Sequence, residues 1–556
     1  MASIGRSSML LASGTVASRI LGFVKVIALT YAIGQIGLAA NSFQAGNQLP
    51  NNVYVIIAGG VLNAVLVPQI VRAAMHKDGG SGYINKLVTV AIVILGVTTI
   101  AATLIAPFLV TISVSHFSHN QYLLAVGFAY WCLPQIFFYG LYSVLGEILN
   151  ARNSFGPFTW APLVNNIVSI IGILLFIVMF GADRAGTRGF DAWTPQMIAV
   201  LGGTATLGVA CQAFILFFFW RRIGLSYRPD FHWRGVGLGT AGKLAGWTFG
   251  MLLVTQAAGL VDTNVMSLAT NKDASLAVLA NSWLIFMLPH SIVTVSIATV
   301  YFTRMAEHAS AQRFDGLKTD LSASVRTISL LIAISSAVLI VVAYPFASFF
   351  SANYRETIDM GNVIIAYVIG LLPFSLVFLF QRTFYALNDT RTPFLFTVVQ
   401  AALFSAAAVL CGIFLPTSLL AAGIAVSMTI STAVQAVVAV YLLRRRLGRL
   451  DLRRILISLA RYTLGLIPAL AAGLFLLYAL GGARDGGFAL SGVVSAAFSM
   501  ALIGFVMLLV YLLTLRLVRT PELADALAPF AGRLRGRRPG RERGRHSTRN
   551  HTPGSE

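Results

Sequence analysis

The chain has 556 residues, of which 57% are hydrophobic and only 11% are charged, and its mean hydropathy is +0.80. These values exclude a soluble globular protein and are typical of a polytopic membrane protein. The formal net charge is +21, but the cations are concentrated in alternate loops and in the last forty residues, which disfavours nucleic-acid binding.

Apolar windows long enough to cross the hydrocarbon layer, about 20 residues each, recur along the chain. We expect an all-α membrane protein with 14 transmembrane helices, arranged as two pseudo-symmetric six-helix lobes around a central cavity, plus two C-terminal helices. The windows are 9–33, 42–73, 84–114, 120–149, 157–181, 195–220, 243–270, 274–303, 320–350, 358–386, 393–415, 417–443, 455–480 and 489–515.

Two features refine these windows. The first window carries internal charge and lacks a cleavage motif, so we expect it to remain as helix 1 rather than to be removed as a signal peptide. Pro50, Pro134, Pro289 and Pro373 lie inside four of the windows and predict kinks, which neighbouring helices or water can accommodate.

The charge of the connecting loops alternates along the chain. Loops after odd-numbered windows are slightly acidic, whereas loops after even-numbered windows are basic, as around Arg72, Arg222, Arg304 and Arg446. The positive-inside rule therefore places both termini in the cytoplasm, with the protein in the cell (plasma) membrane. An even number of crossings agrees with this orientation.

A sequence pattern appears twice, 239 residues apart. Leu133-Pro134 is followed by a polar turn at Asn150–Arg152 and by Pro157-Phe158; Leu372-Pro373 is followed by Asn388–Arg391 and Pro393-Phe394. Six helices separate the copies, so both have the same orientation, as in two-lobed transporters that rock around a central cavity.

The repeat and the composition together divide the chain into five segments. We expect an N-lobe (1–222, helices 1–6), a cytoplasmic inter-lobe linker (223–242), a C-lobe (243–454, helices 7–12), helices 13–14 (455–516), and a disordered basic cytoplasmic tail (517–556). The tail is expected to contact anionic lipid rather than nucleic acid.

Six motifs in the expected order resemble one transporter family. They are Ser18-Arg-Ile-Leu-Gly-Phe-Val-Lys25, Asn41–Asn51, Ala64–Gln69, Leu149–Pro157 with Ala161–Asn166, Leu260–Thr263 and Phe384–Phe394. Over about Ser8 to Leu515 the chain resembles the MurJ/MviN lipid II flippases of the multidrug/oligosaccharidyl-lipid/polysaccharide exporter superfamily, and looks like an actinobacterial-type member. The resemblance implies that it flips undecaprenyl-diphosphate-linked disaccharide-pentapeptide (lipid II) to the outer leaflet for cell wall synthesis, with cell-wall synthesis proteins as further partners.

Two cations inside helix 1 are the first candidate substrate ligands. Arg19 and Lys25 are six positions apart, and charges at membrane depth are expected to face the bundle interior or water. The resemblance implies that they hold the diphosphate; snorkelling to the interface or a structural ion pair are the alternatives. The chain departs from the family at Asn41, at Val53-Tyr54 and in Ala280–Trp283, where the family has charged residues, so we expect a less cationic cavity.

Other polar residues complete the expected site. Asn41, which replaces the family's common acid in helix 2, is expected to bind the substrate, and Asn47, Asn51 and Asn52 are expected to bind its sugar or peptide groups. Asp262, with Asn264 and Gln256, is expected to couple transport by pairing with Lys25 or Arg19, a structural helix-to-helix pair being the alternative; an incomplete oxygen shell disfavours a sodium site. The expected cytoplasmic gate comprises Asn150, Arg152, Asn388, Asp389 and Arg391, for which helix capping and topology are the simpler explanation.

No motif of an enzyme or of a nucleotide site occurs in the sequence, which predicts no catalysis, no cofactor and no metal. The competing functions are export of another polyprenyl-diphosphate-linked glycan, or a non-transporting scaffold that recruits cell-wall enzymes through the basic tail. A drug antiporter for cations is disfavoured because its cavity would carry acids rather than Arg19 and Lys25.

Overall fold

A computed structural model of the chain describes residues 2–57, 81–152, 154–222, 224–231, 242–269 and 273–523. Within these ranges the regular structure is helical and contains no strand. The helices are α1 (Ala2–Ile33), α2 (Leu38–Ile57), α3 (Ser81–Leu104), α4 (Ala106–Ser113), α5 (His119–Cys132), α6 (Gln135–Ala151), α7 (Phe155–Phe180), α8 (Pro195–Arg222), α9 (Gly242–Met266), α10 (Leu276–Pro289), α11 (Val295–Ser310), α12 (Phe314–Val341), α13 (Ala343–Ala347), α14 (Tyr354–Ile369), α15 (Leu371–Ala386), α16 (Arg391–Phe414), α17 (Thr417–Leu447), α18 (Leu452–Ala479) and α19 (Val493–Leu517).

Eleven membrane-spanning candidates are present among the described residues, and a twelfth if the bent pair α14–α15 counts as one span. The all-α polytopic fold is therefore confirmed at this level. α2 and α9 are not among the candidates; polar side chains such as Gln44 and Asn47 interrupt the apolar character of α2. The second half of the predicted window 42–73, the linker 232–241 and the tail 524–556 lie outside the described residues.

The prolines affect their helices in different ways. α6 begins directly after Pro134, and Pro289 ends α10, after which a π-helical turn, His290–Thr294, leads into α11. α14 and α15 meet at 41° around Gly370, three residues before Pro373. Because a proline in the first turn of a helix needs no amide partner, Pro373 fits the start of α15 without breaking it. Pro50 lies within the continuous helix α2.

The helices pack in two groups, which we call the first half (residues 2–222) and the second half (residues 242–447). In the first half, α7 packs along α8 and α1, and α2 packs along α5; in the second, α16 packs along α9 and α17. The halves meet where α2 contacts α9 and α10, and where α4 contacts α9. Buried apolar side chains of both halves merge there, among them Leu49, Val110, Val265 and Leu279.

The last two helices are anchored to the second half. α18 and α19 pack on each other and on α12, and Tyr511 Oη donates to the Leu330 carbonyl oxygen at 3.1 Å. Beyond α19, the buried Glu522 forms an ion pair with Arg326 and accepts a hydrogen bond from Ser458 Oγ at 3.1 Å. The chain therefore stays packed to at least Leu523, beyond the predicted start of the tail at residue 517.

Candidate functional site

A cavity with polar walls lies between the halves and has a volume of about 460 Å³. Helix α2 supplies one wall, and helices of the second half supply the others. Its polar and aromatic lining residues are Gln44, Gln48, Asn51, Thr255, Asp262, Thr263, Trp283, Tyr367 and Gln400. This is the central cavity in which a polar substrate group would have access to both halves.

Asp262 is the only acid in that lining. Its Oδ1 is buried and has no hydrogen-bond partner, and within the described residues the carboxylate forms no ion pair with Arg19 or Lys25 within 4 Å. The expected pairing across the cavity is not formed in this structure and stays a prediction. A buried carboxylate oxygen without a donor is a site for an incoming proton, cation or donor group.

An aromatic cluster borders the cavity. The Trp283 ring stacks on Phe286 with centroids 4.8 Å apart, and its edge meets Tyr367 at 5.5 Å and Phe374 at 5.6 Å. Trp283 occupies the α10 region where the resemblance predicts an arginine. Packing among these rings gives this wall a rigid, largely apolar surface.

A smaller cavity of about 170 Å³ adjoins the first, since Gln44 lines both. Its polar lining residues are Lys25, Gln44, Asn47, Gln135, Tyr139, Asn165, Ser169, Thr204 and Asn281. All come from the first half except Asn281 of α10. Lys25 thus faces the bundle interior, opposite an asparagine of the second half.

Arg19 lies farther along α1. Counting at 1.5 Å per residue from Ile33, Lys25 is about 12 Å and Arg19 about 21 Å from the end of the helix. His290 is buried in the π-helical turn, and its Nδ1 lies 3.2 Å from Ser375 Oγ. Lys25 and Arg19 thus lie at two depths along α1, and within the described residues neither forms an ion pair with an acid.

Hydrogen bonds between the halves cluster at one end of the helices, which we call the closed end. Gln35 Nε2 donates to Ser351 Oγ at 2.9 Å, and Arg184 Nη2 donates to the Ser351 carbonyl oxygen at 2.7 Å. The buried Asn41 Oδ1 accepts from Ser275 Oγ and, at 3.4 Å, from the Ala277 amide.

Helix α9 adds a second group of bonds at this end. Asn264 Nδ2 donates to the Ile112 carbonyl oxygen at 3.1 Å, Ser115 Oγ donates to Asn264 Oδ1 at 3.2 Å, and the His116 amide donates to Ser267 Oγ at 3.1 Å. The turn that carries Gln35 is shaped by Gly34, whose φ of +77° and contact with Gly186 leave no room for a side chain. Together these hydrogen bonds between the halves form a polar seam, which separates the cavities from the closed end.

Comparisons with known proteins identify the family. A family model described as lipid II flippase MurJ matches residues 29–483. The chain belongs to the MurJ family. These proteins are flippases, which are transporters and not enzymes, as the sequence predicts.

Relatives and solved structures agree with this assignment. Two relatives named "Probable lipid II flippase MurJ" are each 25% identical to this chain. The match to the Borreliella burgdorferi protein extends over 482 residues and covers 84% of this chain and 89% of the relative. The match to the Rhizobium meliloti protein extends over 397 residues and covers 70% of this chain and 71% of the relative. A solved structure of lipid II flippase MurJ, in an inward closed conformation, has a TM-score of 0.69 at 19% identity and covers 94% of this chain and all of that one. A multidrug resistance MATE family transporter of the MOP superfamily, inward-facing, has a TM-score of 0.61 at 15% identity, covering 79% and 98%.

The predicted substrate ligands of α2 lie in different places in this MurJ-family chain. Asn47 lines the smaller cavity and accepts from Gln135 Nε2 at 3.1 Å; Asn51 lines the larger one. Asn52 is not in the lining of either cavity. Asn41 is a contact between the halves and is 1% exposed, which corrects its predicted place on the cavity wall.

The predicted coupling group is likewise divided. Asp262 lies in the central cavity, whereas Asn264 belongs to the closed end and Gln256 is outside both cavity linings. These three residues sit on α9, but a helix directs side chains two and six positions apart onto different faces. Although Asp262, Asn264 and Gln256 are close in sequence, they do not lie together in one site.

The predicted gate residues lie at two helix turns. Asp389 Oδ1 accepts from the Thr392 amide at 2.9 Å, and Oδ2 accepts from Thr392 Oγ1 at 2.7 Å, which caps the start of α16. Arg391 lies 5.7 Å from the Trp247 ring centroid, and Asn388 has a left-handed φ of 56° in the turn before the helix. Asn150 lies in the last turn of α6, and Arg152 is the residue at which that helix ends. Capping, the simpler alternative, accounts for Asp389.

Several lining residues were missed by sequence reasoning. Gln44 and Gln48 recur at helical spacing with the predicted ligand Asn51 and form one stripe with it on α2, a signal that was available. His290 was also detectable as an ionisable residue in an apolar window. Asn281 and Tyr367 carry no local signal, because their position depends on how α10 and α14 pack.

Proposed function

We propose that the chain flips lipid II, undecaprenyl-diphosphate-linked disaccharide-pentapeptide, from the cytoplasmic to the outer leaflet for cell wall synthesis. The match of the lipid II flippase MurJ family model to residues 29–483 carries this proposal. The cavities between the halves support it, because they offer polar walls within an otherwise apolar bundle, and the cation Lys25 lines the smaller one.

The diphosphate is bound through helix α1. Lys25 lines the smaller cavity as a point charge, and Arg19 offers a guanidinium that binds two phosphate oxygens at once. Neither cation is neutralised by an acid within the described residues, so both charges are available to an anion. Asn47 and Asn51 then bind sugar or peptide groups beside the diphosphate, while Asn52 is left without a role in this conformation.

Transport proceeds by alternating access of two six-helix lobes within a 14-helix bundle. The closed end faces outward, both termini lie in the cytoplasm, and the protein resides in the cell membrane. Release to the outer leaflet requires the hydrogen bonds of Asn41, Asn264 and Ser351 to break, while the turns containing Arg152 and Arg391 close the cytoplasmic side. Asp262 couples this change to a proton or cation that enters the central cavity.

The decisive test is depletion of the protein, followed by identification of the lipid-linked precursor that accumulates in the inner leaflet. Lipid II is the expected species, and restoration by the wild-type chain but not by Lys25→Gln assigns the activity to the cavity. Accumulation of a different polyprenyl-diphosphate-linked glycan would replace lipid II as the substrate.

A truncation tests the alternative of a scaffold. Because Glu522 is packed against Arg326, the informative deletion removes residues 524–556 and leaves the ion pair intact. Flipping is expected to persist in this variant. Loss of cell wall synthesis with flipping unchanged in reconstituted vesicles would favour the scaffold.

A further inference from the structure

Two adjoining cavities lie at the opposite end of the second half, outside the site described above. One is apolar, with a volume of about 330 Å³, and is lined by residues of α12, α15, α17 and the start of α18. The other, of about 460 Å³, is polar. They share Lys318, Ser322, Leu450 and Asp451, so together they form one amphiphilic site.

The polar part is cationic. Arg449 and Arg454 line it, are exposed, and form no ion pair within the described residues. Lys318 Nζ lies 3.3 Å from Oδ1 of Asp315, an acid that is fully exposed and therefore weakens the charge of Lys318 little.

The polar part also contains Arg326 and the exposed acid Asp451, which keeps its negative charge because no ion pair involves it within the described residues. Arg326 is paired with Glu522, and Asp451 Oδ2 accepts from Ser322 Oγ at 3.2 Å. The cations available to a ligand are thus Arg449 and Arg454, with Lys318 beside them.

The apolar part opens towards lipid. Its walls include Val325, Phe380 and Val440, and at its rim Val437 is 70% and Leu456 is 65% exposed. Both rim residues belong to helices long and apolar enough to cross the membrane. An acyl chain entering from the bilayer would cover this surface without displacing protein contacts.

We propose that this site binds an anionic phospholipid, with the phosphate against Arg449, Arg454 and Lys318 and one acyl chain in the apolar cavity. The chemistry selects such a lipid because a soluble anion leaves the apolar cavity empty and a zwitterionic lipid brings its own cation to the arginines. The Arg-rich tail of the same chain carries the wrong charge to occupy it. The lining shares no residue with the two cavities of the candidate transport site, so this lipid site is separate from those cavities.

The test measures retention of phosphatidylglycerol by the purified full-length protein, by native mass spectrometry and by lipid-dependent thermal stability. The double variant Arg449→Gln/Arg454→Gln is expected to lower affinity about thirtyfold, since each cation near an anionic lipid contributes about five- to sixfold. Val437→Trp, which narrows the rim of the apolar cavity, is expected to weaken binding while leaving both arginines in place.

The matched control is Arg445→Gln/Arg453→Gln, which removes two exposed arginines of the same segment that are outside both linings. Its affinity should remain within about twofold of wild type. An equal loss in the control would overturn the proposal in favour of general surface attraction.

Three other results would also overturn it. They are equal retention of phosphatidylcholine, equal stabilisation by inorganic phosphate or glycerol 3-phosphate, and no effect of Val437→Trp. If the double arginine variant does not fold, Arg454→Gln alone is measured, and unchanged phosphatidylglycerol binding there contradicts the site.

Discussion

Replacing Asn41 by alanine is expected to release the closed end. Its Oδ1 is the acceptor for two donors of the other half, the hydroxyl of Ser275 and the amide of Ala277, and all three residues are buried. In the variant both donors lose their acceptor as long as the closed end stays shut, whereas an open end admits water to them. The substitution therefore destabilises the conformation in which the closed end is shut and not the conformation in which it is open.

The magnitude follows from the two bonds. A buried donor without a partner costs about 1–3 kcal/mol, and the amide bond, at 3.4 Å, is long and counts for less than the hydroxyl bond. We take about 2 kcal/mol for the pair, which corresponds to about a thirtyfold shift in the ratio of closed to open molecules.

Spin labels on opposite sides of the seam measure this ratio. Ala185 and Ala352 are exposed and lie next to Arg184 and Ser351, which hydrogen-bond across the halves. Cysteines at these two positions, in a background without the native cysteines, should give a single short distance in the wild type. Asn41→Ala should add a longer one.

Ser42→Ala is the matched control. Ser42 is the next residue, is equally buried, and donates to the Gln121 carbonyl oxygen at 3.0 Å within the first half. It loses a hydrogen bond of the same kind without touching the second half, so the short distance should persist. Identical distance distributions for Asn41→Ala and Ser42→Ala would refute the assignment of Asn41 to the seam.

Three further substitutions test the cavity and the anchor. Lys25→Gln should reduce flipping in vesicles about tenfold or more, because a charged hydrogen bond contributes about 1.5–3 kcal/mol, with the thermal midpoint unchanged; undiminished flipping would exclude Lys25 as a ligand. Asp262→Asn should abolish the stimulation of flipping by the driving ion gradient, measured by imposing proton and sodium gradients separately. Full stimulation of flipping in this variant would exclude Asp262 from coupling. Glu522→Gln should destabilise the protein by about 3 kcal/mol in thermal unfolding, because Arg326 is left as a buried unpaired charge, whereas the exposed Glu307→Gln should have little effect. Burial raises the pKa of Glu522, but hydrogen bonds from its own backbone amide, Arg326 and Ser458 outweigh this and hold the pKa below the ordinary 4.5. The stability contributed by the ion pair is therefore complete above about pH 4.5 and is lost as the pH falls through the lowered pKa. A wild-type stability that does not change through this pH range, while Glu522→Gln is destabilised, would contradict that assignment.

The helices could be predicted because the bilayer imposes a length and a composition on each span. The apolar windows 157–181 and 393–415 correspond closely to α7 and α16. The placement of Lys25 inside the bundle follows from the same physics, since an exposed charge at membrane depth is too costly.

The sequence does not indicate which distant residue each polar side chain will contact in the folded protein. Asn41 and Asn51 are the same residue type on the same helix, yet Asn41 accepts a hydrogen bond from Ser275 and Asn51 lines the cavity. Likewise, nothing in the local pattern around Glu522 indicates that its partner is Arg326, almost two hundred residues earlier. Such pairings are set by packing of distant helices.

The anchor after α19 places α1 and the exit of the last helix on different halves of the molecule. α1 packs along α7 of the first half, while Glu522 holds the exit of the last helix to α12 of the second. If the halves rock, fluorophores fused at the amino terminus and after the carboxyl-terminal anchor change their separation with each cycle. The molecule therefore carries natural attachment points for a sensor that follows transport in real time without any substitution in its cavity.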